Sequence, residues 1–147
     1  IMAISTALCS SFKQELLQGV HNFSSHTFKL ALIKANESGT YGAASTNYSN
    51  ITGNSDEQGN TGTYSAGGAT LSGTTINLTN TTAHIDFNNP QFTSATIDAN
   101  GCMIYNSSAS NKAVCVISFG STQSSDNGTF TITMPADGES TSIIRVA

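Results

Sequence analysis

The sequence predicts a mainly β protein: an antiparallel β-sandwich or jelly-roll-like domain of about eight strands with one N-terminal α-helix. Three observations carry this. Short apolar runs alternate with polar residues, as in Thr129–Met134, where Phe130, Ile132 and Met134 interleave with Thr129, Thr131 and Thr133. Ser, Thr, Asn and Gly make up close to half of the 147 residues, a composition that favours turns and short strands. Only the N-terminal stretch repeats its apolar residues at helical spacing.

The chain length corresponds to a single domain, residues 1–147, large enough to bury a core without staples. Five basic residues against nine acidic ones give a net charge of −4, and no basic cluster is present to neutralise phosphates, so nucleic acid is not an expected partner. No apolar run is long enough to cross a bilayer, and no membrane partner is expected. The N-terminus lacks a basic segment followed by a continuous apolar one. No secretory signal is therefore expected, with synthesis in the cytoplasm, and Met2, after an odd Ile1, reads as the natural start. Cys9, Cys102 and Cys115 have no metal-ligand spacing and are expected as buried free thiols, with a Cys102–Cys115 bond the lesser alternative.

In chain order, Ser5–Gly19 reads as the helix, capped by Ser5 or Thr6 and ended by Gly19 in the left-handed region. Ile4, Leu8, Phe12, Leu16 and Val20 form its apolar stripe, with Leu17 beside them. Phe28–Ala35 reads as a strand. Asn36–Ser65 is Gly-, Ser-, Asn- and Thr-rich, with Tyr41, Tyr48 and Ile51 as anchors, Tyr64 at its end and Asp56-Glu57 as its only acidic pair. It is expected to be a long exposed loop with one short strand or turn near Tyr48–Ile51.

Gly67-Gly68 marks a sharp turn. Strands are expected at Ala69–Asn80 and Thr82–Asn88, with Leu71, Ile76, Leu78, Ile85 and Phe87 on their buried faces. Phe92–Ala99 is a weaker strand, joined through a hairpin turn at Asn100-Gly101 to the central hairpin of the sheet, whose arms are Cys102–Tyr105 and Ala113–Phe119. Ser125–Gly128 reads as another turn, and Thr141–Val146 as the last strand.

The residues that could carry chemistry form no sequence motif. His21, His26 and His84 lack the helical pairing of a zinc protease. His84 precedes an apolar strand and reads as a sheet-face residue. No Gly-x-Ser-x-Gly elbow and no phosphate loop with its lysine occur. Asp137-Gly138-Glu139 lacks the EF-hand spacing and reads as a turn cap. No catalytic residue, metal or cofactor is expected.

Two segments carry a family likeness: Gly62–Leu71 (GTYSAGGATL), and the run from Phe92 onward, FTSATIDANGCMIYN, VCVISFGS, GTFTITMPADG and SIIRVA. With the opening MAISTALCSSFKQELLQGVHNF, they resemble a group of small tailed-bacteriophage virion proteins. The likeness covers most of the chain and is weaker between Asn36 and Thr61, and Thr63 stands between the glycine and tyrosine of the turn motif.

The resemblance implies a capsid decoration (cement) protein on the virion surface. Its implied partners are the major capsid protein and further copies of itself, as a homotrimer, with no active site. The apolar residues near both chain ends, Leu8, Phe12, Leu16, Ile143, Ile144 and Val146, are the expected subunit or capsid contacts. The alternative is a tail or head-fibre component with a receptor- or glycan-binding role, using Tyr41, Tyr48 and Tyr64 as a sugar platform. A virion-associated hydrolase would need a nucleophile–base pair, which the sequence does not display.

Overall fold

The structure is a computed structural model that describes residues 3–147; the expected start at Met2 lies outside the described residues. Its elements in chain order are β1 (Ala7–Leu8), α1 (Ser10–Leu17), β2 (Phe28–Lys34), α2 (Ser49–Gly53), β3 (Ala69–Thr70), β4 (Thr75–Thr79), β5 (Thr82–Asp86), β6 (Gln91–Asn106), β7 (Lys112–Thr131) and β8 (Ile144–Val146). The protein is mainly β, with a short N-terminal helix, and its two antiparallel sheets are consistent with a β-sandwich. One sheet has five strands in the order β1-β7-β6-β2-β3, and the other has three in the order β4-β5-β8.

The spine is the β6–β7 hairpin. Its closed end pairs Asn106 with Lys112, and Cys102 lies opposite Ile117, as the two apolar runs anticipate. Met103, Ile104, Val114 and Val116 are fully buried, because this half of the hairpin is covered on both faces. All three cysteines are free and buried. Burial pushes the Cys9 thiol up to about 11 and Cys115 up to about 12.

Two stretches expected as turns are instead irregularities inside long strands. Asn100-Gly101 does not reverse the chain: β6 runs through it, and the register jumps between Ala99 and Gly101. The Asn100 side chain donates to Glu37 Oε2 at 2.7 Å and accepts from Thr122 at 2.6 Å, which holds it extended. Gly101 serves close packing: a Cβ there would lie 2.4 Å from the Ile117 carbonyl oxygen. At Ser125–Gly128 the strand takes a bulge, with Asn127 in the left-handed region at φ 46°.

The helix is shorter than its periodicity predicts. Residues before Ser10 spend their backbone groups elsewhere: Ser5 N–H bonds Tyr41 O, and Ala7 and Leu8 pair with Val116 and Cys115. Leu17 falls on the outer face of α1, away from the buried Phe12 and Glu15, and is 91% exposed. Gly19 ends the turn at φ +72°, as expected. The last strand is shorter too, because residues 137–142 form turns ahead of β8.

The largest correction concerns residues 36–65, which fold inward. Tyr41, Ile51 and Tyr64 are each at most 1% exposed, and α2 occupies the centre of the stretch. Asp56 accepts from the Ser38 and Gly39 N–H groups and, at 2.6 Å, from the Tyr41 hydroxyl. Glu57 accepts from Tyr48, from Tyr64 at 2.9 Å and from Gly67 N–H at 2.6 Å. Burial opposes the Asp56 charge, but hydrogen bonds from Tyr41, Gly39 and Ser38 outweigh it and hold the carboxyl below the ordinary aspartate range. Tyr41 is pushed up to about 12 by burial and by that carboxylate.

The Tyr64 hydroxyl also accepts the Leu32 N–H at 3.0 Å, which stitches the stretch to β2. Tyr64→Phe leaves that buried N–H without a partner. The expected cost is about 1–3 kcal/mol, read as a lower denaturant midpoint with an unchanged m-value in equilibrium unfolding.

Candidate contact surface

The three-stranded sheet grows from a tight hairpin. Asn80 adopts φ 52°, a conformation asparagine tolerates, and lets β4 turn back into β5 with Thr79 opposite Thr82. Registers then line up two aliphatic rows across one face: Ile76, Ile85 and Ile144, and Leu78, Ala83 and Val146. Asn77, His84 and Arg145 occupy the other face. The aliphatic face looks toward the end of α1 and the segment after it. A groove of about 420 Å³ lies between them, lined by Leu16, Phe23, Ile76, Ile85, Ile144 and Val146 among others.

β4 overhangs this packing. Ile76 and Leu78, expected as buried, are 52% and 72% exposed, because β4 is an edge strand with nothing stacked on its outer part. With Leu17 and Val146 they are the exposed large aliphatic residues among those described. A second groove, of about 700 Å³, runs between the outer half of β7 and the following segment, floored by Ile117, Phe119, Phe130, Ile132, Met134 and Ile143.

The six residues expected at contacts from the sequence divide in two. Phe12 and Ile144 are core residues, 1% and 2% exposed, and lie beneath the surface rather than on it. Leu8, Leu16 and Ile143 are partly buried and Val146 is exposed. The fold brings the chain ends together: Leu16 shares the smaller groove with Ile144 and Val146, while Leu8 and Ile143 line a neighbouring recess of about 340 Å³.

A polar network underlies this surface. Glu15 is buried on α1, bonds His21 Nε2 at 2.8 Å and pairs with Lys112 Nζ at 2.9 Å. The Asn106 amide faces Nδ1 of both His21, at 3.1 Å, and His26, at 2.9 Å. Asn106 donates there, so His21 carries its proton on Nε2, toward Glu15. Sequence reading missed this cluster, because its members lie up to 97 residues apart.

The structure also assembles a hydroxyl–imidazole–carboxylate series that the sequence did not display. His84 Nε2 lies 3.0 Å from Thr79 Oγ1, and Nδ1 lies 2.8 Å from Asp137 Oδ1, to which Ser142 also donates at 2.9 Å. That connectivity matches a nucleophile, a base and its orienting carboxylate. Thr79, however, stands on an exposed strand where nothing excludes water. The series ties the β4–β5 hairpin to the 137–142 turn, joined by the Asn77–Asp137 and Asn80–Glu139 bonds.

The proposed tyrosine platform does not form. Tyr41 and Tyr64 are buried, and Tyr48 stacks on Tyr105 at 4.5 Å with its hydroxyl on Glu57.

Fold and surface together define a class: an antiparallel β domain with apolar grooves where its chain ends meet. Comparison of the chain with protein-family models, with curated proteins and with solved structures found no match.

Burial works against the Glu15 charge, but hydrogen bonds from His21 and Lys112, with the Lys112 charge, hold its carboxyl below the ordinary glutamate value. A depressed folded-state pKa contributes stability that is present above the unfolded value and lost as pH falls through the folded one. Melting temperature is expected to drop between about pH 5 and pH 3. Glu15→Gln should flatten that drop while lowering the melting temperature at neutral pH.

Proposed function

We propose that this protein is a structural component of a tailed-bacteriophage virion that decorates the outside of the assembled capsid and stabilises it by binding. The observation that carries this reading is the convergence of Leu16 and Val146, one from near each chain end, on one partly open apolar groove, with Leu8 and Ile143 lining a separate recess on the Arg145 side of β8. Contiguous exposed apolar surface marks sites of protein contact. The sequence resemblance supplies the setting. The protein is made in the host cytoplasm and binds the major capsid protein and further copies of itself.

The physics of such a role is simple. A protein that binds the assembled shell and not its dissociated subunits stabilises the shell by mass action, growing with the logarithm of its free concentration over Kd. No reactive group takes part. Low charge and abundant hydroxyls leave the remaining surface hydrated and free of strong fields.

The test is stoichiometry. Purified virions are expected to contain this chain at a copy number comparable to that of the major capsid protein. A few copies per particle would instead mark a tail or fibre component. Val146→Asp, at a residue 52% exposed, should leave the fold intact and reduce capsid occupancy at least about tenfold. Co-sedimentation of the purified variant with undecorated shells measures this, and unchanged occupancy would remove this surface from the contact.

A further inference from the structure

We infer that β4 is a self-pairing edge. Two copies of this chain join antiparallel through Thr75–Thr79 about a two-fold axis at Asn77, and their small sheets become one continuous sheet. This goes beyond the capsid reading, stands whatever particle the protein binds, and is a two-fold contact separate from the three-fold association that the resemblance implies.

The first observation is an open ladder. β4 lies at the edge of its sheet. The two-residue connection to β5 makes Thr79–Thr82 a hydrogen-bonded pair, so Thr75, Asn77 and Thr79 direct their backbone groups toward β5. Ile76 and Leu78 direct theirs outward. Among the described residues, no backbone or side-chain hydrogen bond outside the sheet takes them.

The second observation is that the edge is unguarded. Sheet edges are ordinarily protected by a charge, a proline or a bulge. β4 reads Thr-Ile-Asn-Leu-Thr, with none of these and an unbroken register against β5. The opposite edge, β8, is shorter and carries Arg145.

The third observation names the occupant. In either direction β4 reads threonine, aliphatic, asparagine, aliphatic, threonine. Two-fold pairing at Asn77 therefore sets Thr75 against Thr79, Ile76 against Leu78 and Asn77 against itself. The Ile76–Leu78 pairs are the ones that use the free N–H and C=O groups. Their side chains, 52% and 72% exposed in the single chain, then cover one another and extend both aliphatic rows across the axis. An uncharged strand gives a charged peptide nothing to grip, whereas it meets its own copy with no charge in the ladder itself, the nearest like charges to the axis being the two Asp137 carboxylates that each Asn77 holds. Each copy carries −4 overall, so the pairing strengthens as salt screens that repulsion. The contact is isologous and closes at two copies.

Sedimentation velocity on the full chain over a concentration series, at low and high salt, reads the association, and a cysteine pair reads its register. At the axis the two Asn77 positions form a non-hydrogen-bonded pair with Cα atoms about 4.5 Å apart, within the range a disulfide spans. Asn77→Cys is expected to give a disulfide-linked dimer under mild oxidation. Thr75→Cys, whose two copies lie on the order of 13 Å apart in this register, is not. The native cysteines are buried and take no part. Ile76→Pro removes an outward N–H and no bond to β5, and should weaken the dimer at least about tenfold with an unchanged circular dichroism spectrum. A chain that forms no dimer at any concentration, a dimer that persists in Ile76→Pro, or equal cross-linking at positions 75 and 77 would overturn the inference.

Discussion

Two adjacent carboxylates, Asp56 and Glu57, decide whether a fifth of the chain belongs to the fold. The segment between β2 and β3 carries too few apolar side chains to be held by burial alone. Its order comes from hydrogen bonds converging on this pair: backbone N–H groups of Ser38, Gly39 and Gly67 and hydroxyls of Tyr41, Tyr48 and Tyr64. Bonds to a charged acceptor contribute roughly 1.5–3 kcal/mol each, enough together to offset desolvating two carboxylates. In extended backbone, neighbouring side chains point to opposite sides. One acid therefore gathers residues 38–41 and the other gathers Tyr48, Tyr64 and Gly67, while Glu57 bridges to Ile33 of β2.

The hairpin of β6 and β7 supplies the frame against which this ordering takes place. It is longer than most strands of globular proteins, and its irregularities keep it from being a flat ribbon. The register shifts near Ser94, Asn100, Gly120 and Asn127 bend and twist it. Its outer half then serves as a wall for residues 61–64, which lie so close that Gly62 admits no Cβ beside the Thr93 carbonyl. Close backbone approach and left-handed residues thus do work here that a larger apolar core would do in a less polar chain.

The sequence was legible where burial follows a local rule. The apolar runs around Asn106–Lys112, the alternation at Thr129–Met134 and the glycine after α1 each determine structure within a few residues, and each appears as read. It misled where a local signal met a stronger distant partner. Asn100-Gly101 favours a turn in isolation, but Glu37 and Thr122 hold Asn100 straight. Helical spacing from Ile4 to Phe12 is real, yet pairing with β7 and with Tyr41 takes the first residues. Of the candidate contacts, Leu8, Leu16, Ile143 and Val146 keep accessible surface at the recesses, but hydrophobicity near the chain ends marks all six residues alike. It could not separate these four from Phe12 and Ile144, whose burial depends on elements far along the chain.

The thiols have a consequence of another kind. Cys9, Cys102 and Cys115 lie at 0%, 0% and 3% exposure, and burial disfavours the thiolate at each. Thiolate is the form that exchanges with disulfides or meets oxidants. In the folded chain these three thiols are therefore held back from disulfide exchange. Reaching them takes an opening of the core, so the rate at which a thiol reagent modifies them reports how often that core opens.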